Sequence, residues 1–128
     1  MAIVLLDSSA VIALKNRSDR HHANAVKAVS SLNQAPDISV ITLSEVLIHE
    51  SKASPTTARL AAARLLEAFG AVHPVSTAVA ILAAEIRAKR DLGLADSMIS
   101  ATALLEEAEL WTCDKALAKA HQGARLIE

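Results

Sequence analysis

Ile3-Val4-Leu5-Leu6 is a run of branched apolar residues without polar alternation, the pattern of a short strand buried on both faces in a parallel sheet. Asp7 ends the run, and Ser8-Ser9 can open a helix continued by Ala10-Val11-Ile12-Ala13-Leu14. Lys15-Asn16-Arg17 breaks it. Ser18 or Asp19 is placed to cap a second helix over about Arg20 to Leu32, with Ala25, Val26 and Val29 as its apolar side. After a loop through Pro36, Ile38-Ser39-Val40-Ile41 reads as the second strand. Thr42-Leu43-Ser44-Glu45 fits a capping box, so a helix is expected through Leu47 and Ile48 to about Ser51.

Ser54-Pro55 starts the next helix, with proline in the first turn. Leu60, Leu65 and Leu66 are expected to supply core, with some surplus for a dimer interface, and Gly70 is its expected C-terminal cap. Ala71 to Val75 forms a weak third strand. Pro74 cannot donate to a ladder, which puts that strand at a sheet edge. A helix from about Thr77 to Arg90 carries Val79, Leu82 and Ile86 on one face, and Asp91 to Leu94 breaks it. Another, from about Ala95 to Ala108, places Ile99, Ala103 and Leu104 inward. Glu109 to Thr112 is the fourth strand, Asp114 caps a helix over Lys115 to Ala120, and Arg125-Leu126-Ile127 closes the chain as a last strand. Alternating strands and helices specify an α/β fold, a parallel sheet with helices on both faces. Right-handed crossovers then set every strand's carboxyl end on one rim.

Composition narrows the chemistry. The 128 residues are expected to form a single domain over 1–128. No apolar run approaches the ~18 residues of a membrane span, and Asp7 interrupts the first one too early for a signal peptide. One cysteine, Cys113, allows no internal disulfide and suits a reducing cytoplasm. The net charge of -1 supplies no global field for nucleic acid, so any such grip must be local. Trp111 and Phe69 are the whole aromatic complement, too little for a base-stacking sheet. The glycines, Gly70, Gly93 and Gly123, all lie far from the first strand, which removes dinucleotide and Walker-type phosphate loops.

Four acids share an address. Asp7 ends the first strand, Glu45 falls in the expected first turn after the second, and Asp114 follows the fourth. Asp96 opens the helix before the fourth strand and joins the others if that helix starts at the same rim. Two carboxylates ~5 Å apart repel by roughly 3 kcal/mol at an effective dielectric near 20. A cluster of four must hold cations or take up protons. Oxygen ligands without His or Cys favour Mg²⁺ or Mn²⁺ over zinc. Such an ion can activate water against a phosphodiester. All four are also good residues for helix starts. Spacing alone leaves a shared metal site and independent caps both open.

The local sequence around each acid resembles the PIN-domain superfamily, and within it the VapC ribonuclease toxins of prokaryotic toxin–antitoxin pairs. The matching segments are Val4 to Leu14, Ser44-Glu45-Val46, Leu94 to Ala103 and Thr112-Cys113-Asp114-Lys115, in the family's order and over essentially the whole chain. Asp19 to Ala23 also resembles a helix start common after the first motif. The resemblance implies a Rossmann-like three-layer sandwich with strand order 3-2-1-4-5. It further implies that Asp7, Glu45, Asp96 and Asp114 bind one or two Mg²⁺ or Mn²⁺ ions, with Ser9 and Thr112 orienting ligands or water from behind. The function implied is a Mg²⁺-dependent endoribonuclease toxin, a homodimer held inactive by a cognate antitoxin, cutting RNA to 5′-phosphate and 3′-hydroxyl ends. A stand-alone PIN nuclease and a non-catalytic PIN-like binding module are the alternatives. Leu117 stands where the family often has an aromatic residue, and Ala108-Glu109 where a glycine commonly precedes the fourth strand.

The five histidines (His21, His22, His49, His73 and His121) show no ligand spacing and read as structural or solvated. Arg17, Arg20, Arg87, Lys89, Arg90, Lys115 and Lys119 are candidates for phosphate contacts beside the rim, against the ordinary role of a solvated charged face.

Overall fold

The computed structural model describes residues 2–128. Its first half runs β1 (Val4–Leu6), α1 (Ser8–Lys15), α2 (His22–Ser30), β2 (Asp37–Ser39), α3 (Val40–Val46), α4 (Ile48–Ala53) and α5 (Pro55–Ala68). Then follow β3 (Val72–His73), α6 (Thr77–Lys89), α7 (Leu94–Leu105), β4 (Glu109–Thr112), α8 (Lys115–Ala120) and β5 (Arg125–Leu126). The five strands form one sheet in the order β3-β2-β1-β4-β5, every pair parallel. This is the expected order, with β3 at an edge.

The unbroken apolar run of β1 has its reason in the middle layer. Val4 and Leu6 pack with Val11, Ala25, Ile38 and Trp111 on one side of the sheet. Leu5 points the other way, into Ile99, Ala103, Leu110 and Leu117, as the two-residue period of a strand requires. On the first side, α2 buries Ala25 and Ala28 while Val26 stays exposed, so small side chains let that helix approach.

The second strand is shorter than its apolar pattern suggests. It ends at Ser39, whose buried hydroxyl accepts from Ile41 N at 3.0 Å and caps α3. Val40 and Ile41 are therefore helical, and Thr42 is a buried position inside α3 rather than its cap. The Thr42–Glu45 capping box does not form, and Glu45 sits in the second turn. The serine wins because it places a cap at the end of the ladder and turns Thr42 and Val46, one helical turn apart, inward together. The helix expected to run to Ser51 is instead divided at Leu47, where the backbone tightens and Leu47 N bonds Ser44 O at 3.3 Å. Leu60, Leu66 and Leu104, expected in the core, are exposed at 58%, 51% and 51%; in α5 only Leu65 is buried. Glu107, at φ 52, makes the left-handed turn into β4 next to the place where the family's glycine is missing. Among the described residues no helix is long and apolar enough to cross a membrane.

Gly70 is not a left-handed helix cap; Phe69 occupies the C-cap position. The glycine is required for close approach. A Cβ there would lie 2.5 Å from Asp37 Oδ1 and 3.2 Å from Ala35 O. Asp37 is locked in place, accepting from Ala71 N at 2.9 Å through Oδ1 and pairing through Oδ2 with His73 Nε2 at 2.8 Å. His73 Nδ1 in turn faces Glu106 at 3.7 Å. Gly70→Ala is expected to lower stability by about 2 kcal/mol, read by urea unfolding. The loss should shrink when Asp37 is also changed to Ala, because the clashing oxygen is then gone.

Candidate functional site

Asp7 is 2% exposed at the carboxyl end of the central strand. It caps α1, with Oδ1 accepting from Ala10 N at 2.9 Å and from Ser9 Oγ at 2.8 Å. Thr112 Oγ1, at the end of β4, donates to Asp7 Oδ2 at 2.5 Å. Ser9 and Thr112 also tie the next loop: Cys113 N donates to Ser9 Oγ and Asp114 N to Thr112 Oγ1, each at 2.9 Å. Ser9 and Thr112 thus both bond the Asp7 carboxylate. Burial raises the Asp7 carboxyl pKa; the bonds from Thr112, Ala10 and Ser9 pull it down, and the charge of Asp114 pushes it up again.

Asp114 caps α8 through Oδ1, accepting from Ala116 N at 2.8 Å. Glu45 reaches the same rim from α3, where Ser8 Oγ donates to its Oε1 at 2.5 Å and stands 3.3 Å from Thr42 Oγ1. The Ser8–Glu45 contact, with buried Thr42 behind it, was hidden in the sequence by the capping-box reading. The tandem Ser8-Ser9, one hydroxyl for each of two acids, is its only local signal.

Asp96 lies in the first turn of α7 but does not cap it. Gly93 holds the cap position, and Asp96 has no side-chain hydrogen bond among the described residues. Its carboxyl pKa is pushed up to about 6, first by burial and then by the charges of Asp114, Asp7 and Glu45. The four acids are therefore neighbours in charge. Capping explains Asp7 and Asp114; it explains neither Glu45 nor Asp96.

The donor set is carboxylate oxygen throughout, which fits a hard divalent cation. Cys113 adds no soft ligand, since burial and the negative charge of Asp7 push its thiol up to about 11 and keep it protonated. Among the described residues no three His, Cys, Asp or Glu side chains stand ready-formed around a metal position. Asp7, Glu45 and Asp114 are instead turned to hydroxyl and N–H donors. Three histidines have other partners: His22 Nδ1 meets Ala13 O, His73 is paired with Asp37, and buried His121 bonds Ser100 through Nδ1, while His49 lines the cavity beside Glu45.

A prediction follows from the charge at Asp96. Its folded pKa of about 6 lies above the ordinary 3.8, so the folded state holds the proton more tightly. That contribution to stability is complete below pH ~4 and is lost as pH rises through about 6. With no divalent ion, Asp96→Asn is expected to raise stability at pH 7.5 by about 1 kcal/mol after allowance for solvent screening. No gain is expected near pH 4. Thermal unfolding at the two pH values in a chelator measures both, and equal shifts would refute the assignment.

The family model of the PIN domain matches residues 4–122, a span that includes all four acids. The fold is similar to FitAcB from Neisseria gonorrhoeae, at 23% identity and TM-score 0.78, over 97% of this chain and 96% of that one. It is similar to a chain of a toxin–antitoxin complex from Klebsiella pneumoniae, at 28% identity and TM-score 0.72, over 90% of each. It also resembles VapC20 from Mycobacterium tuberculosis, a toxin that cleaves the sarcin–ricin loop, at 20% identity and TM-score 0.75, over 91% of this chain and 94% of that one. Comparison of the sequence with curated proteins gives no match.

Proposed function

Because the chain belongs to the PIN-domain family, we propose that it is a Mg²⁺-dependent endoribonuclease and the toxin of a toxin–antitoxin pair. PIN-domain proteins are nucleases that generally use divalent metals. The observation that carries the reading is Asp96, an acid without a capping role whose pKa is raised by burial and then by the charges of three other carboxylates. The charge has a use if a cation is shared there.

Asp7, Glu45, Asp96 and Asp114 would hold one or two Mg²⁺ ions, with Mn²⁺ as a substitute. When bound, the metal supplies an activated water and neutralises charge developing on the phosphodiester. The chain's own part is positioning. Ser9 and Thr112 fix both oxygens of Asp7, Ser8 orients Glu45, and Asp114 is anchored on α8. Asp96, free of such bonds, is the carboxylate able to adjust.

The likeness to a toxin–antitoxin complex supports an antitoxin partner. Exposed Ile12 and Leu60 border two neighbouring cavities of about 440 Å³ beside Glu45 and along α5. They offer apolar surface for an antitoxin segment whose Arg or Lys enters the acidic groove. A homodimer remains the expected assembly, and the exposed leucines of α5 and α7 suit it.

Protein purified without antitoxin is expected to cut structured RNA with Mg²⁺ or Mn²⁺ and to stop on chelation. Asp7→Asn and Asp96→Asn should each lose at least ~100-fold in rate, and calorimetric Mg²⁺ binding should weaken with them. Cleavage in chelator, or full activity in both variants, would sink the site. Mg²⁺ binding without cleavage of any RNA would leave only a binding module.

A further inference from the structure

Beside the acidic rim lies a cleft of opposite charge. Lys89 and Arg90 at the end of α6 and Lys119 on α8 line a space of about 400 Å³ with Asp91, Ala116 and Ala120. Three cations there face one carboxylate. None of the three takes part in an ion pair among the described residues, where the pairs are Lys15 with Glu50 and His73 with Asp37 and Glu106.

Both walls of the cleft are tied to the rim. On one, Ala116 donates its N–H to the Asp114 carboxylate at 2.8 Å. On the other, the Asp91–Gly93 connection leads directly into the turn of α7 that carries Asp96. That connection is pinned, because Arg87 donates to Leu92 O at 3.1 Å and the Leu92 side chain is buried. Lys89, Arg90 and Ala120 also border a second cavity of about 270 Å³ that reaches Ile86, Leu104 and His121. The two cavities share those three residues and together make one trough lined by residues of α6 and α8, in which Glu85 is a second carboxylate.

We infer that this trough grips the phosphodiester backbone of the RNA strand beside the cleaved bond, with Lys89, Arg90 and Lys119 as its phosphate contacts. The inference rests on the nuclease reading above. A polyanion approaching four carboxylates on a chain of net charge -1 meets repulsion unless positive charge is placed locally. The trough supplies that charge next to the acids. Contacts of this kind set the register of the strand and carry no base information.

The test measures binding of a fluorescein-labelled single-stranded oligoribonucleotide by anisotropy, with Mg²⁺, in an Asp7→Asn background that leaves the strand uncut. Lys89→Ala/Arg90→Ala/Lys119→Ala is compared with Lys27→Ala/Lys52→Ala/Arg59→Ala, which removes equal charge from α2, α4 and α5. The trough variant should bind ~10- to 100-fold more weakly near 0.1 M salt, with a log–log salt slope shallower by about 2. The control should change by less than about 3-fold, as a shift in net charge alone would give. The matching deoxyoligonucleotide should lose the same factor, since a phosphate grip does not read the 2′-hydroxyl. Lys89→Arg/Arg90→Lys/Lys119→Arg should keep binding. Equal losses in both alanine variants, an unchanged slope, or a loss seen only with a polyglutamate peptide would overturn the grip. With Asp7 restored, the trough variant should lose kcat/KM through KM. Cleavage at unchanged KM refutes the grip and leaves the nuclease. Trough-dependent binding without cleavage of any RNA refutes the nuclease and leaves the grip.

Discussion

The fold turns on one buried carboxylate. A charged group at 2% exposure is tolerated only where donors replace the water it has lost. Asp7 finds them in α1 and β4: the Ala10 amide and the hydroxyls of Ser9 and Thr112. The same hydroxyls accept from the Cys113 and Asp114 amides, so solvating Asp7 also fixes the loop that presents Asp114. Two segments distant in sequence are drawn to one point by the needs of one side chain. The central strand supplies no alternative, since its neighbours on both sides are apolar and closely packed.

From that point the acids divide by what holds them. Asp7 and Asp114 are helix caps, stabilised by free amides whether or not a cation is near. Glu45 leans on Ser8. Asp96 has no side-chain hydrogen bond among the described residues, and burial together with the charges of Asp114, Asp7 and Glu45 raises its proton affinity. Most of the charge at this rim has local donors. The rim keeps a demand for positive charge because one carboxylate has none. The caps and the cluster are thus compatible: capping places two acids on the rim, and the rim makes them a cluster.

The layers and the edge place of β3 were legible in the sequence because each rests on local pattern joined to the geometry of parallel sheets, while the full strand order followed from the resemblance. Asp7 and Asp114 sit at the two kinds of position where strand ends meet helix starts. The start of α3 was misread because Ser39 and Thr42 compete as caps, and burial of Thr42 decides between them. Leu60 and Leu66 were assigned to the core because apolar character says nothing of which helix face meets the sheet. The Asp37–His73 pair and the need for Gly70 join residues more than thirty positions apart, and no local pattern marks them. Ser8 supporting Glu45 is of the same kind.

Net charge misleads for a related reason. At -1, with 13 basic and 14 acidic residues, the chain has no overall preference for a polyanion, and the sequence permitted only the conclusion that any grip is local. Folding sorts the charges. Four carboxylates collect where the ends of β1 and β4 meet α3, α7 and α8, while three cations outside any ion pair among the described residues line a cleft shared by α6 and α8. Screening limits each field to about 8–10 Å at physiological salt, so a ligand at the surface responds to the nearer patch rather than to the sum. Opposite patches side by side suit the proposed nuclease, which would hold a strand by its phosphates beside the acidic rim. That separation depends on the Arg87–Leu92 bond and the Asp114 cap, so the same contacts that close the fold set the spacing between grip and rim.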